Sequence, residues 1–168
     1  MDDSRVESLV NECKQIQEDS TYSAEVHYII AGKLAKKAFW YKLIPACITV
    51  FSAYKLLTGS QSWVAWITLL SGLVTIMNVF MEPEKRARGH QFAAKSFTVL
   101  KHEARSLHES FKDFISDDEF YHTVKRLREK YNMLAQLTPP TDDKDAWEEA
   151  RKRIKAGVHK ADFRSEDK

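Results

Sequence analysis

Residues that could carry out catalysis are scattered along this sequence. It holds six histidines, and none stands in the H-E-x-x-H spacing that places two zinc-binding imidazoles on one helix face. His102 and His108, the closest pair, are separated by about 600° of rotation at ~100° per residue, so they occupy different faces of a helix. We therefore interpret every histidine as a surface or interface residue with a hydrogen-bond partner: His27, His90, His102, His108, His122 and His159.

Other patterns of catalysis or cofactor binding are equally hard to find. Cys13 and Cys47 have no C-x-x-C partner, and the five glycines form no phosphate-binding loop. The 26 basic and 24 acidic residues nearly balance at a net charge of +2, which gives no general attraction to nucleic acid. The sequence therefore predicts a protein that is not an enzyme, with no catalytic residues, cofactor, metal or nucleic-acid partner.

Small and polar residues inside two apolar segments form the more informative pattern. Wound at ~100° per residue, the second segment gathers them within a sector of roughly 140°, and the first segment forms a similar group. The candidate stripe consists of Lys42, Thr49, Ser52, Thr68, Ser71, Gly72, Thr75 and Asn78.

Two interpretations of this stripe remain open. In the first, small residues let two membrane helices pack closely, and hydroxyls form hydrogen bonds of about 0.6 kcal/mol each across the interface. In the second, several copies assemble and the stripe lines a water-filled lumen. Helix packing is slightly favoured, because one asparagine and a few hydroxyls do not require a channel.

Lys42 also has two interpretations. If its side of the helix lines a lumen, a ring of ammonium groups at the mouth favours anions. In the favoured alternative, Lys42 is an anchor whose long side chain reaches the lipid head groups.

The two apolar segments have the dimensions of membrane spans. Residues 63–81 contain no charged residue or histidine and extend roughly 28 Å as a helix, which matches the ~30 Å hydrocarbon layer. Residues 38–57 carry charge only at Lys42 and Lys55, and a turn at 58–62 is long enough only for a helical hairpin. A hairpin buried in a soluble protein is less favoured, because the second segment is so long and so uniformly apolar.

The flanks of the spans predict their orientation. Basic residues precede the first span and follow the second, whereas Lys55 alone lies near the turn, so both termini should be cytoplasmic. No secretory signal is expected near Met1. The protein should therefore be a multi-pass protein of the inner or plasma membrane. The expected interface anchors are Trp40, Tyr41, Tyr54, Lys55, Trp63, Lys85, Arg86 and Arg88.

The basic residues directly after the second span, Lys85, Arg86 and Arg88, have a separate explanation. Contact with anionic lipid and the topology account for them better than a specific partner or ligand site does.

The remaining segments are predicted to be helical. Residues 1–37 form an N-terminal arm interrupted at Asp19-Ser20-Thr21, and residues 82–160 form a helical region that precedes a polar tail at 161–168. Within that region Ser116 and Glu119 have capping-box spacing, and Pro139-Pro140 should end the helix that follows. We expect an all-α fold in which a two-span hairpin continues into a cytoplasmic helical domain, assembled as an oligomer.

The order of these parts resembles the SLATT family, the two-transmembrane effector domains associated with SMODS and SLOG proteins of bacterial conflict systems. The likeness covers nearly the whole chain, from the N-terminal helix and tight hairpin to the long helix that follows. Its local patterns are Phe80-Met81-Glu82-Pro83 with His90 downstream, Leu137-Thr138-Pro139-Pro140, and Trp147-Glu148-Glu149-Ala150-Arg151.

The resemblance implies a homo-oligomeric, pore-forming effector of antiviral defence that disrupts the membrane and arrests growth. It implies a sensor or nucleotide-signalling partner acting in trans, since the chain has no sensor segment of its own, and it supplies no catalytic residues. The alternative is a non-conducting membrane anchor or scaffold that recruits soluble partners. A membrane enzyme is the weakest possibility.

Overall fold

The computed structural model describes residues 3–59 and 63–157, which are almost entirely helical and contain no strand. The predicted all-α class is therefore confirmed. The α-helices in chain order are α1 (Asp3–Leu57), α2 (Trp63–Met81), α3 (Pro83–Ser106), α4 (Asp117–Leu137) and α5 (Lys144–Lys155). A π-helical turn at Leu107–Phe111 and a 3-10 turn at Lys112–Phe114 connect α3 to α4. The predicted polar tail at 161–168 lies outside the described residues.

The chain divides into two compact units. The terminal unit consists of Met1–Ile30 and Gly89–Lys168, and the hairpin unit consists of Ala31–Arg88. Residue 38, where the first apolar segment begins, lies inside α1 and not at the start of a helix.

The predicted interruption of the N-terminal arm at Asp19-Ser20-Thr21 is wrong, because α1 runs through it without a break. The hydroxyl of Thr21 donates to the carbonyl oxygen of Gln17 at 2.7 Å, so the helix itself provides its hydrogen-bond partner. Ser20 is fully buried on the core side of α1. None of the three residues removes a backbone donor, as proline would, so the packing of α1 outweighs their modest helix propensity.

The core of the terminal unit is built by α1, α3, α4 and the π-helical turn. Its buried members are Cys13, Ile16, Leu100, Ala104, Leu107, Phe120, Val124 and Leu127. Each large apolar side chain buried here contributes roughly 1.5–3 kcal/mol to folding. Burial also raises the pKa of the Cys13 thiol to about 11, so this group stays protonated at neutral pH.

Helix ends in the terminal unit follow the sequence signals. The Ser116 hydroxyl accepts a hydrogen bond from the backbone N–H of Glu119 at 3.3 Å, as the capping-box spacing predicts. Helix α4 ends at Leu137, before the two prolines. Helix α5 begins after Asp143, whose carboxylate accepts from the Ala146 N–H at 3.0 Å.

In the described residues, one helical stretch, which begins at Trp63, is long and apolar enough to cross a membrane. Only 11% of its most apolar window is buried within the protein. The core helix of a soluble protein would be mostly covered, so this exposure is consistent with membrane association.

Candidate functional site in the helical hairpin

The hairpin unit has a line of small buried residues on each of its two long helices. Successive members are seven residues apart, close to two helical turns, so each line follows one face of its helix. On α1 the line contains Ala38, Pro45 and Ser52, and on α2 it contains Val64, Ser71 and the half-buried Asn78. We call these six residues the packing line.

One hydrogen bond joins the two halves of the packing line. The hydroxyl of Ser71 donates to the carbonyl oxygen of Pro45 at 3.3 Å, and the hydroxyl of Thr49 donates to the same oxygen at 2.9 Å. Because Ser71 is 4% exposed, its role in this structure is helix packing. Ser52 is buried to the same degree, at 3% exposure.

The other stripe residues of α2 lie outside the packing line. Thr68, Gly72 and Thr75 are exposed, and a Cβ atom added at Gly72 would meet nothing within 4 Å. The Thr68 hydroxyl donates to the Val64 carbonyl at 2.9 Å, and the Thr75 hydroxyl donates to the Ser71 carbonyl at 3.0 Å. The stripe is thus divided between a packed part and an exposed part whose threonines are bonded to their own helix.

The exposed part of α2 borders an apolar groove of about 510 Å³. It is lined by the small residues Ala65, Thr68 and Gly72 and by the larger residues Val64, Leu69, Leu73 and Ile76. We call this surface the open face. Small residues of this kind allow close approach of another membrane helix.

Two polar atoms of the packing line are buried without a hydrogen-bond partner in the described part of the chain. They are the hydroxyl oxygen of Ser52 and the Oδ1 atom of Asn78. An unpartnered buried polar group costs about 1–3 kcal/mol, so both atoms are places where a further donor or acceptor would stabilise the protein.

Lys42 forms an ion pair in this structure. Its Nζ atom lies 2.6 Å from a carboxylate oxygen of Glu84, and both side chains are about half exposed. The hydrogen bond and the charge of Lys42 lower the pKa of Glu84, and Lys85 lowers the pKa of Glu82 in the same way. Both carboxylates are therefore charged at neutral pH.

The predicted interface anchors lie on the surface of the hairpin unit. Trp40, Tyr54 and Trp63 are 54%, 60% and 44% exposed, and Tyr41, Lys85, Arg86 and Arg88 are exposed as well. Lys55 is half-buried, with its ammonium 5.8 Å from the centre of the Phe51 ring. Exposed aromatic rings beside cations are typical of a membrane–water boundary.

A buried histidine pair in the terminal unit corrects the interpretation of His27 and His90 as surface or interface residues. Their Nδ1 atoms are 2.9 Å apart, and the residues are only 2% and 7% exposed. The His27 ring stacks on Phe97 at 5.8 Å. Burial, and then the neighbouring His90, lowers the pKa of His27 to about 4.

A buried carboxylate in the same unit was also missed. Glu25 is 5% exposed and forms an ion pair with Arg153 of α5 at 3.1 Å. His27 lies three residues after Ala24 and four before Ala31, and all three are buried, but the sequence alone does not show which face of α1 is covered.

No family model, curated protein or solved structure matches the chain. The resemblance to SLATT proteins therefore stays a prediction that depends on the sequence features given above.

Proposed function

We propose that this protein is a two-span effector of the bacterial inner membrane that assembles through α2 and forms or gates a pore in antiviral defence. Its opening would disrupt the membrane and arrest growth. The observation that carries the proposal is the divided stripe, in which one part of α2 packs on α1 and the open face is left for a second copy.

The apolar end of α1 is the first span of the proposed hairpin, and α2 is the second. The Ser71–Pro45 hydrogen bond links the middle of this segment to the middle of α2. With antiparallel helices, steps of seven residues from that bond place Ala38 opposite Asn78 and Ser52 opposite Val64. The small size of these residues supports a close pair of helices across the bilayer.

Assembly is needed because two helices cannot enclose a lumen. The open face has the small residues that let membrane helices approach, and its Thr68 hydroxyl lies beside Gly72 on the same side of α2. In the oligomer, this side is shielded from lipid by the next hairpin or lines the central space. A closed and an open arrangement of the hairpins would then form a two-state equilibrium.

The partner that shifts this equilibrium would act on the terminal unit, in the cytoplasm. A sensor in trans needs to bind the open arrangement more tightly than the closed one, because a ligand with equal affinity for both shifts nothing. The termini would both be cytoplasmic, in accord with the basic flanks of the spans.

A non-conducting anchor or scaffold is the second candidate. The hydroxyls of Thr68 and Thr75 are bonded to the carbonyl oxygens of their own helix, so neither requires water in a lumen. On this alternative the open face would serve only for packing, and the terminal unit would recruit soluble partners.

Crosslinking and dye release from liposomes distinguish these candidates. The full chain, reconstituted in phosphatidylcholine and phosphatidylglycerol liposomes, should give species larger than a dimer and release a trapped dye. Gly72→Leu should weaken both results, whereas Cys47→Leu, at an exposed position on α1, is the matched control. Oligomers without dye release would favour the scaffold, and a strictly monomeric protein would exclude the pore.

A further inference from the structure

A polar recess lies in the hairpin unit where α2 ends and α3 begins. Its volume is about 290 Å³, near the lower limit of roughly 300 Å³ for pockets that hold small molecules. The polar residues that line it are Lys42, Asn78, Glu82, Glu84, Lys85 and Arg88.

Charges of both signs line this recess. Lys42 pairs with Glu84 at 2.6 Å and Lys85 pairs with Glu82 at 2.8 Å, and Arg88 adds a third cation. Exposed ion pairs such as these contribute only about 0–1 kcal/mol, so a ligand that carries both charges can exchange with them at little cost. The recess therefore suits a zwitterion better than a simple anion.

Asn78 adds an unused hydrogen-bond acceptor. Its Oδ1 atom is buried and has no partner in the described part of the chain. This atom is closed to solvent, so a ligand in the recess must turn the Asn78 side chain slightly to reach it, and a ligand that brings N–H donors gains most from doing so.

The backbone beside the recess is strained at Glu82. This residue has φ 42°, in the left-handed region that non-glycine residues rarely adopt. Such a conformation costs of order 1–3 kcal/mol and is found preferentially at ligand clamps and switch regions. Glu82 directly precedes the buried Pro83, the first residue of α3.

We propose that the recess binds the head group of phosphatidylethanolamine. The phosphate would contact Lys42, Lys85 and Arg88, and the primary ammonium would donate to Asn78 Oδ1 and the two carboxylates. The apolar α2 ends at Met81, so the recess lies at the depth of the lipid head groups. The inference depends on the membrane-spanning part of the proposed function and not on pore formation.

Hydrogen-bond chemistry sets the preference among lipids. The quaternary ammonium of phosphatidylcholine has no N–H to donate, and phosphatidylglycerol has no ammonium at all. Either lipid would leave the Asn78 acceptor without a charged donor. General attraction of the basic residues to anionic lipid predicts the opposite order, with phosphatidylglycerol first.

Native mass spectrometry of the full chain in detergent, with each of the three lipids added, tests this order. We expect phosphatidylethanolamine to bind roughly tenfold more tightly than phosphatidylcholine, the effect of hydrogen bonds from a charged donor. Asn78→Ala, which removes the amide without adding bulk to the packing line, and Glu84→Gln should each remove the preference. Arg86→Gln is the matched control, because Arg86 is a neighbouring exposed cation that does not line the recess.

Three results would overturn the proposal. One is a preference for phosphatidylglycerol that Glu84→Gln leaves unchanged, and another is an equal loss of binding in Arg86→Gln and Glu84→Gln. The third is competition by water-soluble glycerophosphoethanolamine at the same concentration as the lipid, which would identify a soluble ligand as the occupant. Dye release from liposomes without phosphatidylethanolamine tests the pore separately, so the two proposals fail independently.

Discussion

The Ser71 hydroxyl donates a hydrogen bond to the carbonyl oxygen of Pro45, 26 residues earlier in the chain and 3.3 Å away. A side chain as short as serine reaches the backbone of another helix only when the two helices are close together. The small residues of the packing line permit that approach, and larger ones at the same positions would prevent it.

Leucine substitutions at two adjacent residues should therefore have different effects. Ser71→Leu inserts a large side chain into the packing line and should destabilise the protein by about 1–3 kcal/mol, the usual cost of overpacking. Gly72→Leu adds a side chain where nothing lies within 4 Å, so the fold should be unaffected or slightly more stable. Thermal unfolding in mild detergent compares the two, and equal losses would contradict the assignment of Gly72 to the open face.

The orientation of the hairpin leads to a labelling prediction. In a background with Cys13→Ala and Cys47→Ala, a Ser60→Cys variant should react with an impermeant maleimide added to intact spheroplasts. Asp167→Cys should react only after lysis, because the positive-inside rule places the C-terminus in the cytoplasm. The reverse pattern would show an inverted topology or a hairpin that does not span the membrane.

The ion pair between Lys42 and Glu84 weakens the anion selectivity expected if a ring of Lys42 side chains lines the pore. Glu84 neutralises much of the Lys42 charge, so an open pore of the native protein should select weakly between ions. Glu84→Gln should shift the reversal potential toward anions, and Lys42→Glu should shift it toward cations. Planar-bilayer recordings under a salt gradient measure both shifts, and a conducting Lys42→Glu variant with no shift would assign Lys42 to the role of lipid-facing anchor.

Local signals in the sequence predicted much of the terminal unit. The Ser116–Glu119 spacing identified the start of α4, and the proline pair identified its end, because both effects act within one turn of a helix. The predicted break at Asp19-Ser20-Thr21 was wrong because long-range packing, and not a local signal, decides the structure there. Three polar residues resemble a loop, but the position of Ser20 in the core is decided by helices distant in sequence.

Contacts between distant residues could not be predicted. His27 and His90 are 63 residues apart, and Glu25 and Arg153 are 128 residues apart. Neither pair leaves a trace in local periodicity, because the pairing depends on how the helices pack. The division of the stripe into a packed part and an exposed part could not be predicted either. A helical projection shows which residues lie on the same side of α2, but it does not show which of them contact α1.

Removing Arg153 from the Glu25–Arg153 ion pair should destabilise the protein more than neutralising both residues. Arg153→Leu removes a partner of a carboxylate that is 5% exposed, and because the Arg153 side chain is itself 47% exposed, the loss should be about 1–3 kcal/mol. Glu25→Gln in the same chain removes the charge and should recover part of that loss. A double-mutant cycle by thermal unfolding measures the coupling, and strictly additive effects would mean that the pair contributes nothing to stability.

Histidine protonation should make the terminal unit sensitive to mild acid. One Nδ1–H of the His27–His90 pair donates to the lone pair of the other Nδ1 atom, and protonation of both rings would turn two N–H groups toward each other. The folded pKa of His27 is about 4, below the ordinary value of 6.5. Between these values the unfolded chain binds the proton and the folded chain does not, so stability is complete above about pH 6.5 and declines as the pH falls toward 4.

We expect this decline to reach about 3 kcal/mol near pH 4, which corresponds to the lowering of the His27 pKa. Unfolding midpoints of the full chain from pH 7.5 to 4 should fall most steeply within that window. His27→Asn should flatten the profile, since it removes the titrating group, whereas His122→Asn should not, because His122 is exposed. An equally steep profile in His27→Asn would show that other groups cause the acid sensitivity and that the buried pair does not titrate on unfolding.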